Sequence, residues 1–421
     1  MFVGLSLDQA PPYKAPIKFF LTAPIFAIFA GIFAFFSNDF IFHDPYIIAT
    51  IHLITIGFIV MTILGALQQM LPVVAGAVIP KANITANITY YSLTFGLITF
   101  AMSFFLYAKV LFFISATLLF SGLLYFTAIA LYQLLKVPNK SYIVIGIIIS
   151  LAFFILSFML GIHLLIANAT SNIGALHYDF ALVHYNYIFF GFLFILVVAL
   201  TIQVVPMFWV ASAFSKKHQA IIIFGSTALL VLYPINLFAN LGLDLVYKIA
   251  FTALVIFFVI ITIQKLRSRK RKLQDITVNF YTTAMVFLFL GTVYWFMMSI
   301  FDLPLDVLAI LFGLGFIVSL MNGMLYKIVP FLTWFHLNAK GIFSIPTMRD
   351  MIPIKKMQIQ YYVHLSSVLV FIIGFLFSVN IIIKLAALLF VVSNILFFIN
   401  IFKTVKVYMK HKDEDPFGMN K

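Results

Sequence analysis

Long apolar stretches separated by short polar punctuation dominate the chain. Within them no period of two appears, and no one-sided stripe at helical spacing. They are apolar on all sides, as a helix in lipid or among other apolar helices must be. A bilayer core of about 30 Å takes roughly 20 such residues as helix. Twelve stretches reach that length, at about 16–37, 46–72, 88–107, 110–135, 142–166, 180–208, 219–241, 246–264, 279–301, 307–333, 360–380 and 382–402. The pattern predicts an all-α membrane protein with twelve transmembrane helices. Its last two helices are joined by a tight turn near Val379-Asn380.

The stretches are not independent of one another. The second contains GFIVMTILGALQQMLP from Gly57 to Pro72, and the tenth GFIVSLMNGMLYKIVP from Gly315 to Pro330. The sixth contains GFLFILVVALTIQVVP from Gly191 to Pro206. All three align without gaps. They share G-F-[IL]-[VF], a small residue at Gly65, Ala199 and Gly323, a Gln or Lys at Gln69, Gln203 and Lys327, and the closing Pro. Stretches two, six and ten lie four apart, so the single membrane domain of residues 1–421 reads as three parallel four-helix repeats with pseudo-threefold symmetry. Their limits are about 16–135, 142–264 and 279–402, followed by a tail over 403–421. The small residues lie eight apart, just over two helical turns, so a neighbouring helix or a flat cofactor can approach that face closely. Each Pro is expected to kink or end its helix. The Gln or Lys one turn before it would satisfy the carbonyls that the Pro frees, or snorkel.

Composition supports this reading and adds orientation. The 421 residues are 64% hydrophobic and 9% charged, with a mean hydropathy of +1.15. Soluble domains carry about 25% charged residues, so a soluble enzyme and a disordered chain are both excluded. There is no Cys, which removes disulfides, thiolate metal sites and cysteine nucleophiles. No cleavable signal peptide is evident. The net charge of +14 is a topology signal. With twelve spans, 23 of the 26 Lys and Arg residues fall on the side of the termini, and only Lys109, Lys248 and Lys384 on the other. The positive-inside rule then places both termini in the cytoplasm. The basic run at 264–272 suits anionic lipid head groups better than nucleic acid. No acidic residue falls deep in a span, which weighs against a carboxylate-relay transporter.

With no Cys in the chain and no acidic residue deep in a span, histidine is the strong metal ligand that remains. On this topology His43, His52, His163, His177 and His184 lie at the outer end, and His218, His336, His364 and His411 at the cytoplasmic end. His52 is the sharpest candidate. It lies about 9 Å inside the outer end of the second helix by helical rise, where a neutral imidazole needs a partner. His184 opens the sixth helix, with His177 two turns earlier and His163 at the end of the fifth. Asp179 is placed to orient one of these rings. His52, His184, His163 and His177 are thus the candidate metal ligands. The cytoplasmic histidines read as ordinary interface residues. No P-loop, H-E-x-x-H, C-x-x-C-H or G-x-S-x-G motif competes with them.

This arrangement resembles the catalytic subunit of the heme–copper oxidase superfamily. The specific similarity lies in HLITIGFIVMTILGALQQMLPVVAG (His52 to Gly76) and HYNYIFFGFLFILVVALTIQVVP (His184 to Pro206). The resemblance implies that His52 is an axial ligand of a b-type heme and His184 a ligand of the active-site metal. Two departures limit it. The seventh helix has no His after His218, and none occurs from there to His336. Neither the family's three-His copper site nor its usual bis-His heme ligation can form, so a working oxygen-reducing centre is not expected. The shortened ligand set is closer to the NnrS-type branch, membrane heme proteins linked to nitric oxide metabolism.

These observations lead to a bacterial inner-membrane heme protein in respiratory electron transfer or diatomic-gas metabolism, with a respiratory redox partner. Heme b would be held by His52, with His184, His163 or nothing as the second ligand, and Gly57, Gly191 and Gly315 would let the porphyrin pack closely. Copper on the outer histidines is a further option. A carrier or assembly factor for heme or copper, and a cofactor-free structural subunit, are the alternatives.

Overall fold

The computed structural model describes residues 11–37, 44–270 and 274–414. His43 and Asp39, Arg271 and Lys272 of the basic run, and the tail beyond Glu414 lie outside them. The described residues form twelve long helices. They are α1 (Lys14–Phe36), α2 (Pro45–Ala75), α3 (Ala82–Leu106), α4 (Lys109–Lys136), α5 (Tyr142–Thr170), α6 (His177–Trp209), α7 (Lys216–Phe238), α8 (Asp244–Arg267), α9 (Ile276–Met297), α10 (Leu305–Asn338), α11 (Ile354–Leu376) and α12 (Asn380–His411). Each is long and apolar enough to cross a membrane. The protein is an all-α, multi-pass membrane protein.

Helix starts follow local chemistry. Asp44 caps α2 by accepting from the Tyr46 amide at 2.7 Å, with Pro45 in the first turn. Ser141 and Ser215 cap α5 and α7 in the same manner. The turn between α3 and α4 puts Tyr107 in the left-handed region, and the turn between α11 and α12 does so with Ser378. The repeat prolines act unequally. Helices α2 and α6 end three residues after Pro72 and Pro206, whereas α10 continues from Pro330 to Asn338. Helix α12 runs nine residues beyond its expected end, so 403–411 is helix rather than tail.

Two compact units divide the chain, and their limits do not follow the three repeats. The first comprises the end of α2, α3 to α8 and the end of α9. Within it α3 packs on α4, α4 on α5, and α5 on α6, while α7 and α8 pack on each other and on α6. The second comprises α1, most of α2, the start of α9, and α10 to α12. Within it α1 packs on α2 and α12, and α10 and α11 both pack on α12. Large apolar side chains remain exposed along helix faces, as at Ile221, Phe224, Val231 and Ile235 of α7 and Leu369, Ile373 and Leu376 of α11. Such surface is suited to lipid.

Candidate functional site

The three repeat helices share a feature that periodicity does not reveal. Each contains a widened, π-helical stretch: Thr55–Val60 in α2, Tyr187–Phe194 in α6 and Ile310–Val318 in α10. Their last residues, Val60, Phe194 and Val318, are equivalent in the repeat alignment, and the repeat glycine lies inside each stretch. π-Helical turns are rare and concentrate at functional sites. Three in register make these helices the place to look for chemistry.

The small residues of the motif serve helix packing. A Cβ on Gly191 would fall 2.7 Å from the Cβ and Cγ of Phe153 on α5. On Gly315 it would fall 2.6 Å from Cγ of Phe287 on α9. Eight residues further along each helix, Gly65 faces Phe19 and Phe20 of α1, Ala199 meets Gly146 of α5, and Gly323 faces Phe280 of α9. In each repeat the first helix thus packs on this face of the second. At Gly191 and Gly315 a phenylalanine ring takes the room offered to a flat group.

His52 lies on α2, one turn before the widened stretch, and is half-buried. Its Nδ1 donates to the Ile48 carbonyl at 2.8 Å. A carbonyl only accepts, so the proton is on Nδ1 and the lone pair of the neutral ring is on Nε2. His184 on α6 has the same tautomer, with Nδ1 donating to the Ser157 carbonyl of α5 at 2.8 Å. The Ser157 hydroxyl returns a bond to the His184 carbonyl at 3.2 Å. Gly161 makes room for the ring, since a Cβ there would lie 3.0 Å from Cε1 of His184.

The other predicted ligands are not gathered around either ring. His163 is exposed and lies edge-on to Phe180 at 5.3 Å. His177 opens α6 beside Tyr178, with its Nδ1 buried and unpartnered. Among the described residues no three His, Asp or Glu side chains come together as a group able to hold a metal ion. His52 belongs to the second unit, and His163, His177 and His184 to the first.

The residues one turn before Pro72 and Pro330 have different surroundings. Gln69 is buried with both amide atoms unpartnered, so it does not satisfy carbonyls freed by Pro72. Lys327 reaches to the start of α9 and pairs there with Asp275, which also accepts from the amide and hydroxyl of Thr277. Burial opposes ionisation of Asp275, but Lys327 and Thr277 outweigh it and hold the carboxyl below its ordinary range.

His364 lies deeper in its helix than an interface residue at the basic end. Helix α11 begins at Ile354, well before the expected start near 360, so His364 is the eleventh of its 23 residues. It is fully buried, and its Nε2 shares a hydrogen bond of 2.8 Å with Ser319, the residue after the widened stretch of α10. The spacing Gln360, His364, Ser367 was the available signal: three polar residues on one face of an apolar helix. In the first unit, Asn186 stands where the repeat places His52, and it exchanges two hydrogen bonds with the buried Tyr247 hydroxyl, at 2.8 and 3.0 Å.

No family model matches the chain, and no curated protein matches it in sequence.

Proposed function

We propose that the chain is a heme-binding protein of the bacterial inner membrane, of heme–copper oxidase ancestry. In this reading it serves respiratory electron transfer or the metabolism of nitric oxide or another diatomic gas, without a complete oxygen-reducing centre. The basic ends of the helices and both termini face the cytoplasm, and a respiratory redox protein is the partner.

The observation that carries the proposal is the tautomer of His52. A metal-ligating histidine nearly always gives its second ring proton to a carbonyl or carboxylate, which fixes ring orientation and raises basicity. The Ile48 carbonyl accepts that hydrogen bond from His52, and the Ser157 carbonyl accepts it from His184. Both rings therefore carry the lone pair on Nε2, the nitrogen that would hold an iron. The donor set fits a heme with one imidazole, and His52 is the residue assigned to hold it. For copper, no group of three His, Asp or Glu side chains comes together among the described residues.

A heme held there supplies an iron that exchanges single electrons or takes a diatomic ligand. The protein's own part is to fix the His52 ring through Ile48 and to keep water away with the apolar surround of α2. Gly191 and Gly315 act in this reading by seating Phe153 and Phe287, not by facing a porphyrin.

The test is the absorption spectrum, oxidised and reduced, of protein purified from heme-supplied cells, with metal analysis. A stoichiometric Soret band that is lost in His52→Ala, at unchanged helix content, is the expected result. Colourless, metal-free protein overturns the proposal. Substoichiometric heme that passes to an acceptor replaces it with the carrier reading.

A further inference from the structure

The second unit holds a seam of buried polar side chains that the proposed heme site does not use. Ser319, Asn322 and Tyr326 follow one another at spacings of three and four on α10, and Gln360 and His364 share a face of α11. Ser393, Asn394 and Asn400 come from α12. All of these are buried.

Hydrogen bonds run through the seam from the end where α11 begins. Asn400 donates to the Lys356 carbonyl at 3.3 Å and to the Tyr326 hydroxyl at 3.0 Å. Tyr326 donates to Gln360 at 3.2 Å, and the Gln360 amide donates to Ser393 at 3.0 Å. One turn further along α11, His364 meets Ser319. Beside this chain, Oδ1 of Asn322, Oδ1 of Asn394 and Nδ1 of His364 are buried without a hydrogen-bond partner. Buried polar atoms are nearly always paired, by ordered water where protein does not reach. Amide oxygens and a ring nitrogen in one seam match water, which both donates and accepts.

We propose that this seam is a hydrated path by which protons from the end where α11 begins reach His364 in the middle of the membrane. A proton delivered through water and hydroxyl groups binds the ring nitrogen that carries the lone pair. The ring becomes an imidazolium and returns the proton to the same chain of water and hydroxyl groups, so charge moves and no heavy-atom bond changes. His364 is the group in the seam with a basic ring nitrogen to take up a proton, whereas the Tyr326 hydroxyl passes one without ionising. Lys327 is engaged by Asp275 at the start of α9, Tyr361 shares a hydrogen bond with Thr283 of α9, and Lys356 and Lys403 stand beside each other at the mouth. The path does not depend on the heme reading, and its test uses protein with or without heme.

The test is water-edited solid-state NMR on the full chain, labelled with 15N-histidine, in proteoliposomes. Magnetisation that starts on water reaches only ring nitrogens that touch or exchange with it. The His364 signal is assigned by its loss in His364→Gln. It is expected to build up at a rate comparable to that of the exposed His163. In the Gln360→Leu, Asn400→Leu double variant it is expected to build up about tenfold more slowly, with His163 unchanged. Tyr326→Phe keeps the ring and removes one relay hydroxyl; it is the second variant should the double one not fold, and it too is expected to slow the transfer. A His364 signal that receives no water magnetisation in the wild type overturns the proposal. So does transfer equally fast in the wild type and in a folded variant.

Discussion

The widened turns of α6 and α10 occupy the same position in the repeat, yet their surroundings differ. Both contain the motif glycine, and both press it against a phenylalanine of the preceding helix, Phe153 or Phe287. In α6 the polar groups stand before the turn: His184 bonded to Ser157, and Asn186 paired with Tyr247. In α10 they stand after it: Ser319 bonded to His364, with Asn322 and Tyr326 following. The repeat therefore supplies a common backbone device. Each copy has acquired its polar neighbours separately, from whichever helix packs alongside. A role inferred for one repeat does not transfer to the next by alignment alone.

The largest expected effect tests the common part. Gly191→Ala and Gly315→Ala each drive a Cβ into a phenylalanine side chain, and overpacking of this kind costs about 1–3 kcal/mol. Gly313, in the same α10 turn, has nothing within 4 Å of a built Cβ. Gly313→Ala is expected to be neutral, or stabilising by about 0.5 kcal/mol through lost chain entropy. Reversible unfolding in detergent measures all three. Equal effects at Gly313 and Gly315 would remove the ring-on-glycine account.

The next test separates the two neighbourhoods. Asn186→Leu strands the buried Tyr247 hydroxyl and is expected to cost about 1–3 kcal/mol, while Asn186→Leu with Tyr247→Phe recovers much of that loss. Ser319→Ala in the second unit is expected to destabilise in the same range and to be rescued by His364→Phe. An Asn186–Tyr247 cycle without coupling would mean that the pair contributes no joint stability.

The smallest effect is the pH dependence of the Lys327–Asp275 pair. The folded state holds the Asp275 carboxyl below its ordinary range. The stability it contributes is therefore fully present above the unfolded carboxylate pKa and lost as the pH falls through the folded one. The advantage of the wild type over Asp275→Asn is expected to be flat from neutral pH to about 5 and to fade below about 4. An advantage unchanged at pH 3 would contradict the assigned ionisation.

Much of this was legible in the chain. Twelve apolar runs, their order and the threefold repeat follow from hydropathy and from the motif at Gly57, Gly191 and Gly315, because a span must be apolar over a fixed length. His52 and His184 stood out because imidazole is conspicuous among Phe, Ile and Leu. His364 is just as conspicuous in composition, but its depth is not legible from hydropathy. Its helix starts at a polar segment, Ile354 to Gln360, that a hydropathy boundary excludes.

The sequence by itself determined an all-α membrane protein of twelve helices in a repeating pattern, since the membrane forces each span to satisfy its own backbone. Only the tertiary structure decided what each polar group does. It turned the repeat glycines into seats for Phe153 and Phe287, set the tautomers of His52 and His184 through particular carbonyls, and joined Lys327 to Asp275. These pairings depend on which helices are neighbours and at what height, and packing fixes both over distances that no local pattern of residues encodes.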